Sequence, residues 1–343
     1  MIKLLRANFS RMFKSRSFIV GIILTVGIAS ISVISSYMSM QKYPELYSME
    51  SFMENNGNLS EEELEEAMGD DSDPESVVYY FKQINSHESL MFNFGMYAMC
   101  VIPAIIGLFI GTDFSNGTIR NKLMVGHRRS CIYLANLITM AAGSVIIYLA
   151  GALISYFCGL ICFKYSVLSA WKIIEFTATG AAITISTAAI CTFLAMYFNT
   201  KAGGVASTMA FVMLMLLAMG SIPDALNSPP IYNENSYMNS KTEEVYELPQ
   251  PLEEMSVEEL KEYGVEKEDM EYLESMEAEN PYYPRGIKRA VFKWIDKATP
   301  GCQCLYLSEW NDDRNGTSVI WSAFFVALSS TAGILIFRKR DLK

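Results

Sequence analysis

Half of this 343-residue chain is apolar (51%), 19% is charged and the net charge is −10, an average that fits a large acidic soluble protein. The distribution excludes that reading: apolar runs of about 20 residues, the length that crosses a bilayer's hydrocarbon core, alternate with strongly charged stretches. Two histidines far apart and no Gly-Lys dipeptide exclude histidine-pair metal sites and the common phosphate-cradling loop, and disfavour a Ser-His-Asp arrangement.

Residues 1–16 place Ile2, Leu5, Phe9, Met12 and Phe13 at helical spacing with Lys3, Arg6, Arg11 and Lys14 off that stripe. Such a basic amphipathic helix lies in the interface plane of a membrane; an extended basic flank that only sets topology is the other reading. Residues 17–36 form the first transmembrane helix, whose apolar run from Phe18 exceeds the 7–15 residues of a signal-peptide core, so it reads as retained. Residues 37–90 form an acidic extracytoplasmic loop. Ser60-Glu61-Glu62-Glu63 is a capping box that opens a short helix through Met68, closed by Gly69. Asp70, Asp71, Asp73 and Glu75 lack the glycine of a calcium loop, and Pro74 interrupts them; they read as a solvated acidic turn.

Residues 91–112 are the second span and 113–130 a basic connecting segment. Residues 131–222 hold three more spans, around Ile132–Phe163, Ile173–Phe198 and Gly203–Ile222. The first of these is long for one helix. Splitting it near Gly143 or Gly151 gives seven spans; one tilted helix beginning at Ser130 as N-cap gives six. Residues 223–316 form an acidic extracytoplasmic domain, with a capping box at Ser256-Val257-Glu258-Glu259 that opens helical stretches through about Met276. Val291, Phe292, Trp294 and Ile295 point to a short helix near its end. Residues 317–337 are the last span, and 338–343 a basic tail. Lipid offers a backbone amide no partner, so the spans are helices and the fold is an all-α polytopic membrane protein with about six transmembrane helices.

Basic residues set the orientation. Lys3, Arg6, Arg11, Lys14 and Arg16 precede the first span, Arg120, Lys122, Arg128 and Arg129 follow the second, Lys201 follows the fourth, and Arg338, Lys339, Arg340 and Lys343 follow the last. With six spans all fall on one side, the cytoplasmic one, with both termini. Segment 37–90 carries 13 acids and 2 bases, and segment 223–316 carries 21 acids and 9 bases. Their nets of −11 and −12 leave +13 for the rest of the chain. The acidic average therefore hides a basic inner face.

Only Glu175 ionises inside a span window, near its outer end. Ion-coupled carriers keep relay groups within the bilayer, so energy for uphill transport would have to come from a partner. Cys100, Cys131, Cys158, Cys162 and Cys191 read as small buried hydrophobes. Cys302 and Cys304 fall outside the spans, where they can pair with each other, pair with a partner chain or stay free.

The most distinctive stretch runs from Gly111 to Ser130. Gly111 is expected to end the second span, Gly117 to make a turn, and Thr118 to cap a short helix through Met124 with Ile119 and Leu123, and Met124 as a further candidate, on its apolar side; Gly126 then ends it. Physically this is either a short helix that presses on something or an ordinary basic loop. The run Gly111-Thr112-Asp113-Phe114-Ser115-Asn116-Gly117-Thr118-Ile119-Arg120-Asn121-Lys122-Leu123, followed by Arg128-Arg129, resembles the cytoplasmic signature of type-2 ABC transporter permeases, the membrane subunits of bacterial ABC exporters. The six-span layout, the basic elbow helix and the large outer segment before the last span share the resemblance; the acidic outer loops do not.

The resemblance implies a permease in the bacterial cytoplasmic membrane, paired with a second copy or a sister permease and with a separate ABC ATPase subunit. The ATP is then bound by that partner; this chain is no enzyme, binds no cofactor or metal and takes no nucleic acid. Asp113, Phe114, Gly117, Thr118, Ile119, Arg120, Lys122 and Leu123 would form the coupling segment that meets the ATPase, with Ile119 and Leu123 toward it. The expected cargo is amphipathic or hydrophobic, such as an antimicrobial peptide. The alternative is a non-transporting sensor or scaffold that displays its acidic outer domain.

Overall fold

The computed structural model describes residues 1–42, 82–83, 85–163, 165–232, 235–239, 245–248, 273–276, 278–310 and 312–339, with Pro251, Leu252, Met255, Leu260, Tyr263 and Val265. The chain divides into two compact units, residues 1–219 with 295–343 and residues 220–294. The capping boxes at Ser60 and Ser256 and the acidic turn at Asp70 lie outside the described residues.

Ten helices occur among the described residues: α1 (Ile2–Lys14), α2 (Arg16–Lys42), α3 (His87–Ser115), α4 (Thr118–Met124), α5 (Arg129–Cys162), α6 (Ala170–Phe198), α7 (Lys201–Asn227), α8 (Gly286–Ala298), α9 (Pro300–Ser308) and α10 (Asp312–Lys339). Six of them, α2, α3, α5, α6, α7 and α10, are long and apolar enough to cross a membrane. The chain is thus a multi-pass membrane protein of mainly helical fold. Each expected span falls on one of these helices, with Phe163 of the third just past the end of α5. The long third window is one uninterrupted 34-residue helix, so the count stays at six.

Helix α5 is the axis of the first unit, packing on α1, α2, α3, α4, α6 and α10. Between helices in lipid, association rests on close packing rather than on expulsion of water, and small residues allow it. Gly107 and Gly111, one turn apart on α3, bring its backbone against α7. A Cβ at 107 would stand 2.9 Å from Val205 Cα, and one at 111 would stand 2.8 Å from Lys201 Cα. Gly111 therefore does not end the helix. It is a contact residue inside α3, which runs on to Ser115. Hydroxyls in the bundle bond back to their own helix, as Thr139 Oγ1 does to Ala135 O at 2.7 Å and Thr184 Oγ1 to Gly180 O at 2.8 Å, so few polar atoms face the apolar interior unpaired. Buried Tyr133 reaches from α5 to α10, donating to Ser329 O at 3.1 Å.

Up-and-down threading gathers the helix ends at two poles. At one pole Arg129, opening α5, donates to Phe337 O near the end of α10, and Gly111 meets Lys201. Chain segments beside both termini lie here. At the far pole the start of α3 meets the end of α5, with Gly159 against the His87 backbone, and α9 packs on α3 and α6.

The second unit is built differently. Strands β2 (Ser236–Asn239), β3 (Val245–Glu247) and β4 (Leu273–Ser275) form an antiparallel sheet in the order β3-β2-β4, and β1 (Ile231–Tyr232) pairs with β5 (Ala278–Glu279). Tyr237, Leu248, Leu260 and Val265 make its small core, and the Tyr237 hydroxyl accepts from Leu252 N at 3.0 Å. The helical reading through Met276 is corrected at residues 273–275. That stretch has β2 as a partner, and tertiary pairing overrides its local helical preference. The helix expected around Val291–Ile295 is α8.

Candidate functional site

Helix α3 ends at Ser115, and the chain must turn sharply to start α4. Gly117 makes the turn at φ 68°, a left-handed conformation that costs any residue with a Cβ about 1–2 kcal/mol. Gly117, not Thr118, thus occupies the cap position, and Thr118 is the first helical residue. At the other end Gly126, at φ 89°, closes α4. Gly126 N donates to Leu123 O at 2.9 Å and His127 N to Lys122 O at 3.2 Å, the paired bonds of a Schellman turn. Arg128 is then extended and α5 begins at Arg129, one residue before Ser130, the expected cap.

Asp113, in the last turn of α3, is buried at 3% exposure. The negative end of the helix dipole disfavours an anion there, so its charge needs close cations. Two helices supply them. Arg11 of α1 grips the carboxylate with both terminal nitrogens, Nη2 donating to Oδ2 at 2.7 Å and Nη1 pairing with Oδ1, the bidentate geometry that fits guanidinium to carboxylate. Its guanidinium also lies 4.3 Å over the Phe109 ring. Lys122 of α4 reaches the same Oδ2 at 3.3 Å and donates to Asn8 Oδ1 at 2.9 Å. Asn8 Nδ2 donates to Asn136 Oδ1 of α5 at 2.8 Å, and Asn136 Nδ2 points to Met196 Sδ of α6 at 3.6 Å. One polar chain thus ties α1, α3, α4, α5 and α6 together at the pole near the termini. Burial holds the Lys122 ammonium below its ordinary value, Asp113 works against that shift, and Arg11 adds to it.

Of the eight residues expected to form the coupling segment, Asp113 and Lys122 are in this chain and Gly117 makes its turn. Phe114 and Leu123 pack half-buried against the core, and Thr118 is half-buried. Ile119, at 1% exposure, belongs to the core itself. The expectation that Ile119 and Leu123 face a partner is therefore corrected: the apolar side of α4 is consumed by its own bundle. What α4 turns outward is Arg120, Asn121, Met124 (77% exposed) and Val125 (78%). Residues 1–16, read as an amphipathic helix, bury Leu4, Asn8 and Met12 rather than a purely apolar stripe, and Ile2 stays 84% exposed.

Arg11, Asn8 and Asn136 were not singled out from the sequence. Asn136 carried a usable signal, since an amide inside an apolar span is costly and needs a partner. Asn8 lies one turn before Arg11, so both present to one side of α1.

A second charged cluster sits at the far pole. Asp296, in the last turn of α8 and 2% exposed, accepts from Tyr306 Oη at 2.8 Å and from Arg314 Nη1 at 2.5 Å. Arg314 stacks 3.6 Å over the Tyr306 ring. Nearby, Glu88 in the first turn of α3 is fully buried and accepts from Ser166 Oγ at 2.7 Å and Val167 N at 3.3 Å. Cys302 and Cys304 are buried in α9 with free thiols; two residues apart on a helix they do not face each other. Burial pushes the Cys304 thiol up to about 12.

Comparison with protein-family models, with characterised proteins and with solved structures returned no match.

Proposed function

We propose that this chain is the permease subunit of an ATP-driven ABC exporter, with both termini and α4 on the cytoplasmic side and a separate ATPase docking on the outward rim of α4. A second permease copy or a sister permease completes the translocation unit. The observation that carries the reading is the polar chain from Arg11 through Asp113, Lys122 and Asn8 to Asn136. Force applied to α4 passes at once to α1, α3 and α5, because every link is a buried or part-buried hydrogen bond or ion pair rather than a loose loop. The sequence signature at 111–130 supports the same assignment.

An apolar cargo fits the interior. A groove lined by Met96, Met99, Phe211, Met215 and Met219, with Thr187 and Gly301, has no charged wall, and methionines adapt to varied shapes. The sensor or scaffold reading draws support from the second unit's own sheet and core, which can display a ligand surface.

The test is co-purification. Met124→Asp with Val125→Asp alters only the exposed rim, and the variant should insert normally but lose its ATPase partner or the peptide-stimulated turnover. Full association and stimulation by that variant would overturn the docking assignment, and a native complex without any ATPase would favour the scaffold. Labelling in intact cells checks orientation: a cysteine at Glu268 should react with an impermeant reagent and one at Asn121 should not.

A further inference from the structure

Helices α3 and α7 meet backbone to backbone near the termini, Gly111 against Lys201 and Gly107 against Val205, so the two run antiparallel. Farther out on the same face of α3, at one-turn spacing, come Pro103, Met99 and Met96. From Met99 on, the space between the helices is a groove. Met96 and Met99 wall it on one side, and Phe211, Met215, Leu216 and Met219 of α7 wall it on the other. All of these residues belong to the first unit. The groove suits an apolar cargo chemically but is nearly shut, with room for about one water molecule. A cargo needs it wider.

Pro103 stands where the backbone contact gives way to the groove. It is the one proline inside α3, and it has no N–H, so Met99 O lacks the donor that a helix supplies four residues on. On the inner side of this gap α3 is gripped by α7 at Gly107 and Gly111, and by Arg11 and Lys122 at Asp113. On the outer side it holds other partners. The Phe92 ring lies 5.4 Å from that of Phe176 on α6, and Glu88 accepts from Ser166 and Val167 in the connection between α5 and α6. The two halves of α3 thus belong to two sets of helices, and the turn that joins them lacks a hydrogen bond. Helices kink at such turns. We propose that Pro103 is the hinge at which α3 bends, so that its inner half and α7 swing together against its outer half and widen the groove. The inference rests on reading the groove as the cargo path, and the ATPase enters only as the source of the force that reaches Asp113.

Peroxide reports how often the groove opens, because a methionine sulfur is oxidised only when the oxidant reaches it. The full-length protein in phosphatidylcholine vesicles is treated with hydrogen peroxide. Sulfoxide formation is followed by mass spectrometry at Met96, Met99, Met215 and Met219, with exposed Met213 as the reference. Pro103→Ala restores the N–H, and Pro103→Val does so while keeping a bulk close to that of proline. Bending must then break one more hydrogen bond. Oxidation in the groove, relative to Met213, should slow by about fivefold in both variants, the order that one net hydrogen bond gives. Met140 of α5, buried outside the groove, should keep its native rate. Groove rates that do not slow in a variant whose Met140 is unchanged overturn the hinge, and so does a Met140 rate that slows along with them. The measurement needs no ATPase, so its failure leaves the exporter reading standing. Slowed groove oxidation in a chain that binds no ATPase keeps the hinge and removes that reading.

Discussion

Each pole of the helical unit buries one aspartate in the last turn of a helix, where the dipole disfavours it, and each aspartate is rescued by an arginine from another helix. The partners differ in reach. Asp296 is bound by Tyr306 and Arg314, 10 and 18 residues away, so the far-pole cluster pins consecutive helices α8, α9 and α10. Asp113 is bound by Arg11, 102 residues away, and its chain continues to Asn136, 128 residues from Asn8. Similar chemistry therefore makes a corner at one pole and a joint between distant helices at the other. The joint carries an exposed rim on its short helix, at Met124 and Val125.

The sharpest way to break the comparison is to remove each acid. Asp113→Asn leaves Arg11 and Lys122 facing each other half-buried, and breaking a buried pair costs about 3–5 kcal/mol. It should lower the unfolding midpoint in detergent and, on the exporter reading, uncouple ATPase stimulation from cargo. Asp296→Asn should cost less stability, because it deprives one cation, Arg314, of its partner where Asp113→Asn deprives both Arg11 and Lys122, and it should leave coupling intact. Equal loss of coupling in both variants would erase the distinction between joint and corner.

Much of the fold was legible because apolar length is a one-dimensional signal: all six spans could be read from runs of residues such as Phe18–Ser36 and Val319–Phe337. The short helix Thr118–Met124 could also be read, since Gly117 and Gly126 bracket it. The direction of its apolar face could not. Ile119 and Leu123 are apolar whether they meet a partner or their own bundle, and only the packing of α4 on α3 and α5 decides. The joint itself stayed hidden, because Arg11 reads as one of several topology-setting bases and Asn8 as a polar break in a stripe. Their roles depend on Asp113 and Asn136, which no local pattern connects to them. The strand at Leu273–Ser275 was missed for the same reason: its partner, Tyr237–Asn239, is distant in sequence.

The amide link gives the next test. Asn8→Leu or Asn136→Leu alone leaves a buried amide without its partner, a cost of about 1–3 kcal/mol, whereas replacing both strands no amide and costs less than the sum of the singles, the remaining loss being the Asn8 Oδ1 acceptor of Lys122. A double-mutant cycle on unfolding midpoints measures this. If the link also transmits force, the double variant will keep more stability than the singles predict yet lose stimulated turnover. Additive losses would show that the two amides do not interact.

Gly117 tests the turn with a smaller effect. A Cβ there meets nothing within 4 Å, so the cost of Gly117→Ala is purely conformational, about 1 kcal/mol. Gly117→Asn should cost less, since asparagine tolerates the left-handed region better than alanine does. A larger loss for Asn than for Ala would place an unseen contact at the turn.

The smallest expected effect is the pH dependence carried by Lys122. Burial lowers its proton affinity in the folded chain, below the ordinary 10.5 that the unfolded chain keeps. Between those two values the unfolded state binds more protons than the folded one, so stability rises with pH through that window. The penalty for burying the ammonium is present in full at neutral pH and fades as the group deprotonates. Lys122→Met removes this dependence, so the unfolding midpoint of the native chain should gain on that of the variant as pH rises toward 10.5. Asp113 stays gripped by Arg11 in both, which keeps the rest of the joint constant. A native chain that loses ground to the variant as pH rises would mean that the ion pair to Asp113 outweighs burial, with Lys122 holding its proton more tightly in the fold than in water.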